Sequence, residues 1–129
     1  MTVVLDSSAV LAWLLDEPGA GVVDELLSDA LMSSLNWSEV LQKSLMRNTD
    51  VTNLRTDMEV VGLTIVPFDV DDAEKTAHLW TVGKNLSLAD RACLTLAIEN
   101  ELPVWTADSQ WMRHATGADV HLIRKRSDE

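Results

Sequence analysis

The chain has 129 residues, 47% of them hydrophobic, which suits one compact domain with a full core. Its longest unbroken apolar stretch, residues 9–15, is far short of the roughly 20 residues that span a bilayer, and a single cysteine excludes an internal disulfide and fits a reducing cytoplasm. A net charge of −11 argues against general affinity for nucleic acid, because phosphate neutralisation supplies most non-specific binding; any such contact must be local, metal-assisted and salt-sensitive, and a basic protein partner is favoured electrostatically.

Residues 2–5, Thr-Val-Val-Leu, predict a first strand rather than a leader segment, since no basic stretch precedes them. Ser7 or Ser8 is positioned to cap a short helix that Pro18-Gly19 stops. A second helix, at about 20–28, places Val22, Val23, Leu26 and Leu27 on one face. A short second strand is expected at 30–35, after which Ser38 opens a helix carrying Val40, Leu41, Leu45 and Met46. Asp50 is the expected cap of the next helix, where Val51, Leu54, Met58 and Val61 recur at helical spacing before Gly62. The β-branched run 63–66, ended by Pro67, predicts the third strand. From about Val70 a helix should turn Ala73, Ala77 and Trp80 inward, and 88–98 is apolar enough for a central helix. Strands at 103–106 and 120–123 complete the set, and the tail 124–129 is expected to fray. Short strands alternating with helices predict an α/β domain with a mainly parallel sheet, formed by the whole chain as one unit.

Four acids stand where these elements begin or end: Asp6, Glu39, Asp90 and Asp108. Asp6 and Asp108 lie just past strands, the position from which open parallel sheets bind ligands. Each acid also has an ordinary explanation. Asp6 and Asp108 can cap helices, Ser87-Leu88-Ala89-Asp90 resembles a capping box, and Glu39 falls in a first helical turn. Taken together they carry a different meaning. Two carboxylates about 5 Å apart repel by about 3 kcal/mol at an effective dielectric of 20, so four in one pocket require protonation or a hard divalent cation. Such a pocket points to metal-dependent phosphodiester chemistry.

The blocks Asp6-Ser7-Ser8-Ala9, Asn36-Trp37-Ser38-Glu39-Val40, Leu86-Ser87-Leu88-Ala89-Asp90-Arg91-Ala92-Cys93 and Thr106-Ala107-Asp108 resemble the PIN-domain family. Among its members the chain is most similar to VapC-type toxin ribonucleases of bacterial type II toxin–antitoxin pairs. The resemblance runs along essentially the whole chain; residues 44–62 match only in helical character, and Gln42 stands where many relatives carry asparagine. It implies a three-layer sandwich whose central, mainly parallel five-stranded sheet is flanked by helices. It further implies Mg²⁺ or Mn²⁺ held by Asp6, Glu39, Asp90 and Asp108, directly or through water, with Ser7 and Thr106 as supporting hydroxyls. The implied substrates are structured RNAs, commonly tRNA or ribosomal RNA, cut to leave a 3′-hydroxyl and a 5′-phosphate. The implied partner is a small VapB-type antitoxin whose basic or aromatic C-terminal segment covers the acidic groove. A surplus of apolar residues in the first helices adds the expectation of a homodimer.

Other residues carry weaker signals. Arg91 adjoins Asp90 and can bind phosphate or pair with an acid, while Lys43 and Arg47, four apart, form a candidate phosphate-contacting stripe. His78, His114 and His121 share no ligand spacing, and His121 is expected to face solvent. Cys93, amid apolar neighbours, reads as core. The tryptophans read mostly as core or interface residues, with Trp111 ambiguous, and 124–126 as a solvated basic tail. Two alternatives stay open: a non-catalytic PIN-like module that binds RNA or a partner, and a phosphoryl-transfer domain with Asp6 as nucleophile. The second is disfavoured because the further acid it needs two residues on is Ser8.

Overall fold

In the computed structural model, which describes residues 1–82, 84–114 and 117–125, five parallel strands form one sheet. They are β1 (Val3–Leu5), β2 (Ala30–Ser33), β3 (Leu63–Val66), β4 (Val104–Thr106) and β5 (Val120–Leu122), in the order β3-β2-β1-β4-β5. The described residues form six α-helices: α1 (Ser7–Leu14), α2 (Ala20–Leu26), α3 (Ser34–Met46), α4 (Leu54–Val60), α5 (Val70–Ala77) and α6 (Leu88–Asn100). None is long and apolar enough to cross a membrane.

Alternation along β1 explains the layering. Val3 and Leu5 point to one face, where Ala9, Val10, Val23, Met32 and Trp37 form the larger core. Val4 points to the other, against Cys93, Leu94, Ala97, Val104 and Trp111. The expected α/β sandwich with a parallel five-stranded sheet is therefore what the chain forms. Its strand order reverses at β1, which has β2 on one side and β4 on the other. The chain leaves β1 for β2 and β3, then returns to β4 and β5. Such a reversal opens a crevice at the carboxyl ends of β1 and β4, since the connections leave these two strands in opposite directions.

Several local expectations give way. The third helix starts at Ser34 rather than Ser38, because the Ser33 hydroxyl accepts the Leu35 N–H at 3.3 Å and the added turn buries Asn36 and Trp37. The second strand accordingly ends at Ser33, and Glu39 sits in the second turn of α3 rather than the first. Asp50 does not cap α4. Its carboxylate takes the N–H and hydroxyl of Thr52, at 3.0 and 2.6 Å, closing a turn before the helix begins. On α2, Val23 is buried but Val22 faces outward.

The inward residue of α5 is Thr76, not Ala73, Ala77 or Trp80, which are all exposed. A threonine can be buried there because its hydroxyl meets that of Thr95 on α6 at 2.7 Å. Trp80 lies in a 3-10 turn after α5, where the tighter winding rotates the ring outward to 60% exposure. Gly62 has φ 116, and a Cβ there would lie 2.5 Å from the Ser28 carbonyl oxygen, so the turn into β3 accepts glycine alone. Of the tail, Arg124 is anchored, donating to the Pro18 carbonyl at 3.2 Å, while 126–129 lie outside the described residues.

Candidate active site

Asp6 follows β1 directly and caps α1, its carboxylate accepting the Ala9 N–H at 2.9 Å. Register pairs Leu5 with Trp105, which sets the end of β4 beside it. Thr106 donates its hydroxyl to Asp6 Oδ2 at 2.6 Å, and Ser8 Oγ lies 2.8 and 2.9 Å from the two carboxylate oxygens. The carboxylate is 2% exposed. Burial raises its pKa from 3.8 to about 6, against the lowering effect of the hydrogen bonds from Thr106, Ala9 and Ser8; the Asp90 charge raises it further. With both oxygens engaged and almost no exposed surface, Asp6 is poorly disposed to attack a phosphate itself.

The other acids are held in similar ways. Ser7 Oγ donates to Glu39 Oε1 at 2.7 Å, linking α1 to α3. Asp90 and Ser87 form the capping box read from the sequence: the Asp90 N–H donates to Ser87 Oγ at 3.1 Å, and the Ser87 N–H to Asp90 Oδ2 at 3.2 Å. Asp108 caps a 3-10 turn, Ser109–Arg113, accepting the Gln110 N–H at 2.9 Å, while its own N–H donates to Thr106 Oγ1 at 3.0 Å. Burial raises the Asp90 pKa, opposed by the Ser87 bonds and reinforced by the charges of Glu39 and Asp108. Asp90 is thus the electrostatic hub, in reach of each of the other three acids.

The capping roles coexist with mutual electrostatic influence between Asp90 and each of the other three acids. Asp6, Asp90 and Asp108 each satisfy a helix start, and helix starts are what the carboxyl edge of a parallel sheet brings together. Among the described residues, no lysine, arginine or histidine forms an ion pair with any of the four acids. Equally, no three His, Cys, Asp or Glu side chains among them stand close enough to hold a metal ion as placed. Each acid is instead tied to a neighbouring hydroxyl or N–H. The donor set is hard oxygen throughout. It fits Mg²⁺ or Mn²⁺ bound by one or two carboxylates with water completing the shell, which is the usual way Mg²⁺ is held.

Two residues escaped the sequence reading as site components. Ser8 ties the site together: it meets Asp6, lies 3.3 Å from Thr106 Oγ1 and accepts the Ala107 N–H at 2.9 Å. The doublet Ser7-Ser8 held the signal, but successive helical side chains point about 100° apart, and only packing tells which one meets β4 and which meets α3. Asn36, wholly buried one turn before Glu39, donates Nδ2–H to the Ala89 carbonyl at 3.2 Å. It pins the first turn of α3 to the first turn of α6, and so Glu39 relative to Asp90.

Of the remaining candidates, Arg91 is half-buried, with Nε enclosed and without a hydrogen-bond partner. Lys43 and Arg47 are exposed on α3 and line an open groove that shares Ser8 with the acidic centre. Gln42 is exposed. Cys93 is buried, and burial followed by the charges of Asp6, Asp90 and Glu39 holds its thiol well above its usual range, which makes it inert. Trp111 is core. His121 faces solvent on one side, its side chain 42% exposed, while stacking on Trp105 at a ring separation of 4.8 Å, and its Nε2 lies 3.0 Å from Asp119.

Comparison with known proteins agrees with this fold. No curated protein sequence matches the chain. Among solved structures, a toxin–antitoxin complex from Klebsiella pneumoniae superposes with TM-score 0.75 at 19% identity, covering 96% of this chain and 99% of that one. VapBC2 from Rickettsia felis, bound to a promoter DNA fragment, gives 0.71 at 17%, covering 95% and 98%. VapBC-5 from Mycobacterium tuberculosis gives 0.57 at 21%, covering 96% and 98%. At these identities the likeness concerns the fold. The PIN domain family model matches residues 3–117, nearly the whole chain, and the chain therefore belongs to the PIN-domain family.

Proposed function

We propose that the chain is a Mg²⁺- or Mn²⁺-dependent endoribonuclease, the toxin of a VapBC-type toxin–antitoxin pair. PIN domains are generally nucleases, and the observation that supports the reading is a set of four acids, Asp90 in electrostatic reach of the other three, with no cationic partner among the described residues. An ion held by Asp6, Asp90, Asp108 and Glu39, directly or through water, would polarise the scissile phosphate and lower the pKa of a bound water. The chain's own residues do the positioning. Thr106, Ser8 and the Ala9 N–H hold the Asp6 carboxylate in one orientation, and Ser7 holds that of Glu39. Thr106 also fixes the backbone of Asp108, so one hydroxyl couples two acids.

The implied partner is a small antitoxin with a basic segment, consistent with a net charge of −11 and with solved relatives that are toxin–antitoxin complexes. Exposed Leu45, Met46, Val60 and Val61 support a homodimer or a partner-covered face, and the single cysteine supports a reducing cytoplasm as the compartment. Purified protein with Mg²⁺ should cut structured RNA such as tRNA or ribosomal RNA, and EDTA should stop it. The absence of three acids at ligand distance among the described residues favours one rival, a PIN-like module that binds RNA or a partner without cutting it. Metal-independent RNA binding with no cleavage of any cellular RNA would decide for the rival.

Asn36 offers a test of how the centre is held. Asn36→Ala removes the tie between α3 and α6, and the expected result is about tenfold weaker Mg²⁺ activation, the scale seen when groups behind metal ligands are lost. Initial rates across a Mg²⁺ titration measure it; an unchanged half-saturation would mean that Asn36 only fills space.

A further inference from the structure

The groove beside the acidic centre encloses about 570 Å³ and collects three of the chain's ten lysines and arginines. Lys43 and Arg47 come from α3, and Arg124 from the segment after β5. Elsewhere, Arg55 and Lys75 pair with Glu59 and Glu99 at 3.3 and 3.2 Å. Lys43 and Arg47 have no acidic partner among the described residues, although the chain carries 21 acids. Arg124 is held in place by the Pro18 carbonyl and lies 3.8 Å from Glu17, the one acid in the lining. Leu11, Leu15 and Met46 add apolar surface between these charges. Ser8, whose hydroxyl touches Asp6, is at once the edge of the groove and part of the acidic centre.

We propose that this groove, through Lys43, Arg47 and Arg124, binds the phosphates of a single-stranded RNA segment on one side of the bond that is cut. The proposal rests on the nuclease reading and adds to it the path of the substrate. Two unpaired cations, Lys43 and Arg47, gathered with Arg124 in one channel of a strongly acidic protein, are a local polyanion site. The apolar surface between them meets bases splayed from a single strand, as a duplex could not present them. The channel runs into the site through Ser8, so a strand lying along it delivers a phosphate to the acids. Elsewhere the acidic surface repels the same strand, which confines binding to this line.

The test is anisotropy of a fluorescein-labelled single-stranded RNA oligonucleotide with the full chain in EDTA, over a range of KCl. Lys43→Ala with Arg47→Ala should weaken binding about tenfold at low salt and reduce the log–log salt slope by about 1.4, near 0.7 for each phosphate that is no longer neutralised. Lys43→Arg with Arg47→Lys should keep both affinity and slope. Both substitutions are on exposed positions, where effects on stability are small, and a thermal melt of each variant checks it. An unchanged slope in the alanine variant overturns the proposal even if the protein cleaves RNA. Salt-dependent binding that disappears in that variant, without cleavage under Mg²⁺, upholds the groove and overturns the nuclease reading instead. A polyglutamate peptide that binds these residues more tightly than RNA does would overturn the proposal in favour of an acidic protein partner.

Discussion

Replacing Asp90 by asparagine is expected to lower Mg²⁺-dependent RNA cleavage about 10²–10³-fold, the scale of losing one preorganised electrostatic group in a water-excluded site. The metal-free fold should be at least as stable as that of the parent. Asp90 is the acid in electrostatic reach of the other three, so under the proposed function its charge would matter most for holding a divalent ion. Its structural work is separable from that charge. The amide oxygen of asparagine can still accept the Ser87 N–H, and the Asp90 N–H bond to Ser87 Oγ starts from the backbone and survives the change. Removing the charge relieves repulsion from Glu39 and Asp108. Initial rates on an RNA oligonucleotide, with melting curves in EDTA, separate the two effects. Full activity in the variant would sink the metal-centre assignment; a large drop in stability would show that capping outweighs repulsion.

The metal-free protein should lose stability as pH rises from about 4 through 6, and Mg²⁺ should restore it. The folded-state pKa of Asp6 is about 6 against 3.8 for a solvated aspartate, so in that window the folded chain holds a proton that the unfolded chain releases. A shift of 6 − 3.8 = 2.2 units corresponds to about 3 kcal/mol in all, of which about 1.4 kcal/mol is lost between about pH 5 and pH 7.5. The raised pKa of Asp90 acts in the same direction. Mg²⁺ at about 100 times its dissociation constant should add about 2.7 kcal/mol near pH 7.5 and less near pH 5, where protons compete for the same oxygens. Urea denaturation at both pH values, with EDTA or Mg²⁺, measures these effects. In Asp6→Asn the pH dependence should flatten. Stability that rises with pH in EDTA would mean that the buried carboxylate is better satisfied than its surroundings imply.

Strands and acids were readable because their signals are local. A β-branched run ended by proline is a strand whatever it packs against, and Leu63–Val66 formed as expected. The Ser87–Asp90 box is a four-residue pattern and formed as its spacing implies. Expectations failed where packing overrode a local signal. The helix expected to open at Ser38 starts one turn earlier, capped by Ser33, because that turn buries Asn36 and Trp37. Ala73, Ala77 and Trp80 looked inward by spacing, but the hydroxyl of Thr95 makes Thr76 the residue that faces the core.

Local chemistry along the chain was enough to specify an α/β sandwich and the acids at the ends of its elements. Periodicity and capping act over a few residues and need no distant partner. Tertiary packing alone decided that β4 lies against β1, which puts Thr106 on Asp6, and that Ser8 rather than Ser7 meets them. It also decided that Lys43, Arg47 and Arg124, up to 81 positions apart (124 − 43), share one groove. Strand order and helix rotation minimise exposed apolar surface over the whole molecule, and no short stretch of sequence contains that sum.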